Sequence, residues 1–262
     1  MKDMKNWLAN MHSQMAQMGL TDPDKKPADV PCGTCETPIT YRWVASQRHS
    51  YWCKGSCWKC REEAHQEKKK EQREKKLESA GVPVALRPNC LSLSSLFADG
   101  ANSHVEMLVR DWEPPKWLML TGPIGTGKTA WLTALFNYLV ILGEGWGDAK
   151  WITEADLFHQ CDSAHHHNGY TARQDAVSPY LKASILFIDD LGASRRPLTE
   201  WQGSTMRNLF DKRHSSESPT FITTNIVKID ELERRYGDHI VSRILHATGG
   251  LVYLGGPDRR KA

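Results

Sequence analysis

No stretch of the sequence approaches the roughly 20 uninterrupted apolar residues that a membrane-spanning helix requires, which argues against a helical membrane protein. The first residues, MKDMKNWLANMHSQM, lack a compact apolar segment ending in a cleavage site, so a cytoplasmic location is expected. Net charge is also scarce: at +3 it does not by itself declare nucleic-acid binding. An even, dispersed set of cysteines is missing as well. Five of the seven lie between Cys32 and Cys60, with Cys90 and Cys161 isolated, a distribution that suits metal ligation in a reducing compartment better than a disulfide framework. What is present is ordinary globular composition, 40% hydrophobic and 25% charged. The 262 residues suffice for one sizeable domain and a small module.

The stretch that organises the chain is WLMLT, GPIGTGKT and AWLTALFNYLVIL, from Trp117 to Leu142. Its centre fits G-x-x-x-x-G-K-[ST] with a strand predicted before it and a helix after it, the context that makes the pattern a phosphate site. Gly122, Gly125 and Gly127 permit the backbone angles that turn N–H groups inward onto a triphosphate, and Pro123 and Thr126 complete the loop. Lys128 is expected to reach the β and γ phosphates. Thr129, in the first helical turn, is expected to place its hydroxyl on Mg²⁺, where the helix N-terminus adds partial positive charge. ATP is the expected ligand; no Asn-Lys-x-Asp guanine-reading motif is present, which disfavours GTP.

Upstream, Met4, Trp7, Leu8, Met11, Met15 and Met18 fall at steps of three and four, so a helix over residues 1–20 carries a Met-rich stripe. That stripe either packs on its own protein or binds a partner. Cys32-Gly-Thr-Cys35 and, after 21 residues, Cys57-Trp-Lys-Cys60 predict four thiolates facing one another across a short hairpin as a structural zinc site. Cys53 with Cys57 offers a competing, wider-spaced pair. A module of this size is expected to depend on its metal. From Arg61 to Glu78 charges of both signs alternate with i, i+4 pairing, as in a solvated linking helix. A nucleic-acid role for Lys68, Lys69, Lys70, Lys75 and Lys76 is the alternative, opposed by the interleaved glutamates. Gly81 and Pro83 end that helix. Residues 84–116 are expected to supply a lead-in helix. The domain boundaries predicted are 1–30 for the N-terminal helix and linker, 31–60 for the zinc module, 61–83 for the charged linker and 84–262 for the ATPase domain.

Downstream, Ala149 to Ile152 reads as a strand followed by a helix from Glu154, and Ala164 to Ser178, with His165, His166 and His167, as a surface loop. Ser184-Ile-Leu-Phe-Ile-Asp189-Asp190 reads as a strand buried on both faces that delivers carboxylates to the C-terminal edge of a parallel sheet. Following a P-loop, it predicts that Asp189 holds Mg²⁺ through water and that Asp190 orients or deprotonates the attacking water. A helix over Thr199–His214 and a strand ending in Asn225, whose amide faces the γ-phosphate or that water, come next. Two short helices broken at Gly237 and a last strand over Leu251–Leu254 complete the pattern.

This order, a cysteine module, a charged helix, AGVP, GPIGTGKT, ILFIDDLG, FITTN and SRI, closely resembles the DnaC/DnaI-like replicative helicase loaders of the AAA+ ATPases. The IstB-type ATPases of transposition resemble the ATPase half. The resemblance implies an α/β fold: a P-loop AAA+ domain with a five-stranded parallel sheet flanked by helices, no C-terminal lid, and a small zinc-ribbon-like module in front. It implies Asn225 as the first sensor and Arg243 as an arginine finger acting on the ATP of a neighbouring subunit, hence a homo-oligomer when ATP is bound. It places single-stranded DNA contacts roughly within Glu154–Arg173, and it names a hexameric replicative helicase as partner. Many relatives carry Asp-Glu where this chain has Asp189-Asp190, which is expected to slow hydrolysis. Arg259 in GPDRR matches a weaker family pattern. An ATPase assisting a transposase and a zinc adaptor that binds ATP without hydrolysing it are the alternative functions.

Overall fold

The computed structural model describes residues 20, 22–45, 50–87, 112–113, 116–143, 147–168, 170–194 and 196–259. The N-terminal Met-rich stripe, the clusters at 88–111 and Cys90 lie outside the described residues. The chain divides into two compact units, Met1–Gln72 and Arg73–Ala262.

In the first unit, β1 (Val30–Pro31) pairs antiparallel with β2 (Pro38–Ile39), and β3 (Tyr41–Ala45) with β4 (Ser50–Lys54). The β1–β2 turn carries the first cysteine pair. It is closed by Cys32 N–H donating to Thr37 O (3.0 Å) and Glu36 N–H donating to Cys32 O (2.9 Å), with Glu36 at φ 59°. Across the second hairpin Trp43 faces Trp52 edge-on at 5.4 Å, a cross-strand aromatic pair of the kind that stabilises a small sheet. Helix α1 (Trp58–Ala80) follows directly. It begins three residues earlier than the charge pattern predicts, so Cys60 sits in its first turn rather than in a hairpin turn. From 58 to 72 it buries no residue, as its alternating charge requires. Its last turns, in the second unit, bury Leu77 and Ala80.

The second unit is built on five parallel strands, β5 (Leu118–Thr121), β6 (Ala149–Thr153), β7 (Ile185–Leu191), β8 (Thr220–Thr224) and β9 (Val252–Tyr253), in the order β6-β7-β8-β5-β9. Both faces are covered, so alternate residues of each strand enter different cores. Leu118 and Leu120 of β5, Ile185 and Phe187 of β7, and Phe221 of β8 join one core, with Trp131, Leu135 and Phe136 from helix α2 (Lys128–Phe136). Met119, Leu186, Ile188 and Ile222 join the other. That second core is filled by α3 (Glu154–Asn168), α4 (Tyr170–Lys182), α5 (Glu200–Ser215), α6 (Ile229–Tyr236) and α7 (Asp238–Thr248). On the α2 face, the registered residues Trp151, Phe187 and Phe221 stack at 5.8 and 5.1 Å across three strands, and Phe136 meets Phe187 edge-on at 5.1 Å. Offset and edge-to-face contacts of this kind add to the area the rings bury.

The expected loop over Ala164–Ser178 is corrected: α3 continues to Asn168 and α4 begins at Tyr170. Consecutive histidines and the proline at position 179 suggest irregular chain locally. Packing overrides them, because Leu157 and Cys161 of α3 and Val177 and Tyr180 of α4 share one core. Pro179 lies inside α4, within its last turn.

Candidate functional site

The carboxyl ends of β5, β8 and β7, adjacent in the sheet, bring the predicted nucleotide residues to one edge. β5 leads into the loop at Gly122. Gly122, Gly125 and Gly127 adopt φ of 151°, 85° and 93°, and at Gly125 and Gly127 this is a left-handed region that side-chain-bearing residues avoid. Gly127 is the N-cap of α2, so the positive end of that helix lies at the loop. Thr126 is buried, its hydroxyl donating to Pro123 O (3.0 Å). Lys128 is only 7% exposed and its Nζ donates to Gly122 O (2.9 Å) and Pro123 O (2.6 Å). These are the donor and backbone elements a triphosphate requires, gathered in one cradle.

Thr129 Oγ1 donates to Asp189 Oδ1 at 3.1 Å, so hydroxyl and carboxylate already meet where a magnesium ion would bind both. Thr223 Oγ1 donates to the same oxygen at 2.5 Å. Asp189 is 6% exposed, and burial pushes its carboxyl above the ordinary carboxylate range against the pull of the two threonine hydroxyls. Asp190 has φ 57°, where the β7–β8 register is interrupted between Ile188 and Leu191. Its N–H donates to Thr223 Oγ1 (2.8 Å) and its Oδ1 accepts from Asn225 Nδ2 (2.7 Å). Asn225 also lines a cleft of about 480 Å³ with Ile124, Gly192, Arg196, Arg234 and Arg235. Arg243 is not among the residues brought together here. It lies on α7 and ion-pairs with Asp211 of α5.

Apart from Arg259, the segment after β9 carries no sequence signal for the site. Leu254 N–H donates to Thr121 O (2.7 Å) and Arg259 N–H to Gly125 O (3.0 Å), while the Asp258 carboxylate lies against Gly125. A Cβ at Gly125 would overlap that carboxylate. Glu154 is a further residue without a sequence signal; it is 3% exposed and bonded to Gly192, Arg235 and Tyr236.

In the first unit, Cys32, Cys35, Cys57 and Cys60 have all four thiol sulfurs within 4.8 Å of one another. Separations of 3.4 Å (Cys35–Cys57 and Cys35–Cys60) and 3.7 Å (Cys32–Cys60) lie near the edge of about 3.8 Å that a zinc tetrahedron with its usual Zn–S distance demands. Four sulfurs so placed fit a structural zinc. The Thr37 hydroxyl and N–H lower the Cys35 thiol to about 6, and hydrogen bonds from Cys35 and Cys32 push Cys60 up. Cys53 stays outside the cluster, exposed, its thiol directed at Lys54 O (3.6 Å). Among the described residues no helix is long and apolar enough to cross a membrane.

Residues 109–257 match the family model described as IstB-like ATP binding protein. No curated protein matches the chain. Among solved structures it is similar to the DnaC helicase loader, with 23% identity, 60% of this chain and 89% of that one covered, and TM-score 0.49. It is similar to DnaI at 23% identity, with 59% and 80% covered and TM-score 0.44. Domain III of the Thermotoga maritima replication initiation protein DnaA is similar at 21% identity, with 60% and 64% covered and TM-score 0.46. At these identities and scores the likenesses say nothing of this chain's activity. The family match, however, spans more than half of the 262 residues, and the chain belongs to the IstB-like ATP binding proteins, a family of AAA+ ATPases.

Proposed function

We propose that the chain is an ATP-dependent DNA replication protein of the cytoplasm that binds a hexameric replicative helicase and loads it onto single-stranded DNA. The observation that carries this reading is the four-cysteine cluster placed ahead of an ATPase unit of this family. Such a module has no part in phosphoryl transfer, and it leaves Trp58, beside Cys57, 61% exposed. An exposed Trp on a small rigid scaffold is the kind of anchor that protein interfaces use.

In this reading Gly122, Pro123, Gly125, Thr126 and Gly127 cradle the phosphates and Lys128 turns from its two loop carbonyls to the β and γ oxygens. Thr129 and Asp189 hold Mg²⁺, which would neutralise charge developing on the transferring phosphoryl group. Asp190, held by Asn225, orients the attacking water. Arg243 acts on the ATP of a neighbouring subunit. Its partner within its own chain is Asp211, not a P-loop group, which supports a role outside the chain. ATP-bound subunits then assemble along single-stranded DNA that runs by Glu154–Arg173, and hydrolysis releases them from the helicase.

The test is ATP hydrolysis by the full chain with and without single-stranded DNA and the host replicative helicase, together with co-elution of the two proteins. A stable complex with DNA-dependent turnover that Lys128→Ala abolishes and Trp58→Ala weakens, zinc being retained, supports the loader. The family match favours a second reading, an ATPase that assists a DNA transposase. Co-elution with a transposase and not with the helicase would replace the first reading by this one.

A further inference from the structure

The strand that delivers Asp189 and Asp190 does not end as an ordinary strand. Asp190 at φ 57° and Gly192 at φ 78° place two left-handed residues on either side of Leu191, a kink that at a non-glycine residue persists only where the surroundings hold it. On one side the holders are hydroxyls of β8. Thr223 Oγ1 receives Asp190 N–H (2.8 Å) and Thr224 Oγ1 donates to Leu191 O (2.7 Å). On the other side Gly192 N–H donates to Glu154 Oε2 at 2.9 Å, and Ala193 N–H closes the turn onto Asp190 O at 3.2 Å, so Glu154 is the side chain that holds it there.

Glu154 is the first residue of α3 and is almost wholly buried. Both of its oxygens are fully engaged. Oε2 accepts from Gly192 N–H and from Arg235 (3.0 Å); Oε1 accepts from Tyr236 OH (2.8 Å) and from Arg235 (3.2 Å). Arg235 in turn donates to Tyr236 OH (3.1 Å) and to Arg196 O. Burial first, and the Glu154 charge second, push the Tyr236 hydroxyl above its ordinary range, so it remains a donor. The carboxylate is thus clamped by α6 and presents one lone pair to the turn behind Asp190. Gly192 suits this turn, because its φ of 78° would strain any residue with a side chain, and a Cβ there would also lie 2.6 Å from Ile226 Cδ1.

We propose that Glu154 is a positioning residue for ATP hydrolysis: through Gly192 N–H it fixes the kink that aims the Asp190 carboxylate, while taking no part in nucleotide binding. The inference rests on the role proposed above for Asp190. Glu154 touches neither the P-loop nor the Thr129–Asp189 pair; its bonds run to Gly192, Arg235 and Tyr236. Its removal therefore acts on the chemical step alone. Because all four bonds to Glu154 come from donors, Glu154→Gln sets an amide N–H₂ against one of them wherever the side chain turns.

The experiment measures steady-state ATP hydrolysis and the affinity of a fluorescent ATP analogue for the full chain, its Glu154→Gln, Tyr236→Phe and Asp190→Asn variants, and their melting temperatures. Glu154→Gln is expected to lower kcat about tenfold or more, with analogue Kd within about twofold. Tyr236→Phe, which removes one of the four bonds, is expected to lower kcat about two- to threefold. Wild-type kcat in Glu154→Gln, with Asp190→Asn inactive, overturns the positioning role and leaves Asp190 catalytic. Parallel losses of kcat and affinity that follow the loss of folded protein overturn it too, since they mark a scaffold residue. Unchanged turnover in Asp190→Asn, or no turnover in the wild type, overturns the reading of the site and this inference with it.

Discussion

Among the described residues of the first unit, the buried cluster consists of Cys32, Ile39 and Cys57 with Val30, Cys35 and Cys60 packed against it. In the second unit, two cores cover the two faces of a five-stranded sheet, with Trp131, Trp151, Phe136, Phe187, Phe210 and Phe221 fully enclosed. Among its described residues, one two-residue and one five-residue hairpin with a cross-strand Trp pair cannot offset the conformational entropy of ordering the chain. Four converging thiols supply a different source of order, since metal binding there is folding free energy. The second unit needs no such clip. Its apolar burial suffices, and it can hold polar atoms in strained or desolvated places such as Asp189, Asp190 and Glu154. One unit spends its chemistry on being folded, and the other has chemistry left over for a site.

That contrast can be broken most sharply at Cys57. Cys57→Ser is expected to release zinc and abolish the ordered structure of the first unit while leaving analogue binding at the P-loop intact; metal content and nucleotide titration on the same sample check both. Next in size is Arg213, which is fully buried and has no carboxylate partner among the described residues. Burial lowers it to about 10, but its guanidinium donates to Tyr180 O, Ala183 O, Pro219 O and Thr220 Oγ1. Arg213→Met takes the guanidinium away from all four, leaving Pro219 O its bond from Leu186 N–H and Thr220 Oγ1 its bond to Ser218 O, and should cost about 3 kcal/mol in urea unfolding of the second unit, with zinc content unchanged.

A smaller effect of opposite sign is expected at Asp189. Its folded pKa is raised, so its contribution to stability is fully present below the unfolded value near 3.8 and is lost as pH rises through the folded pKa. Asp189→Asn should therefore raise the melting temperature of the nucleotide-free protein at pH 7 by a few degrees, have little effect in acid, and abolish stabilisation by Mg-ATP. Thermal melts at the two pH values check it. Smallest is Cys53→Ser, which should leave one zinc per chain, because the Cys53 thiol lies outside the cluster.

The features legible in the sequence were those whose chemistry is contiguous or rigidly spaced. GPIGTGKT carries its own backbone demands, and ILFIDD announces a strand buried on both faces. Cys32, Cys35, Cys57 and Cys60 repeat a two-residue gap, and the structure groups those four and not Cys53. Where residues met only through folding, local pattern was silent or misleading. His165 reads as part of a loop, yet its segment is helical because Leu157, Cys161, Val177 and Tyr180 need the same core. Nothing in the local pattern marks Arg213 as buried or Arg235 as the ion-pair partner of Glu154.

By itself, then, the sequence determined the phosphate loop, the carboxylates at the end of a buried strand and the spacing of the four cysteines that cluster, because each depends on residue types at fixed short separations. Only the tertiary structure decided that Asp190 turns through a left-handed kink held between Thr223 and Glu154, that Arg235 and Tyr236 clamp that glutamate, and that the segment at Asp258 and Arg259 lies on the P-loop. Those contacts join residues as much as 134 positions apart along the chain, from Gly125 to Arg259, and no local pattern encodes them. They are fixed by which groups remain unpaired once the two faces of the sheet are covered.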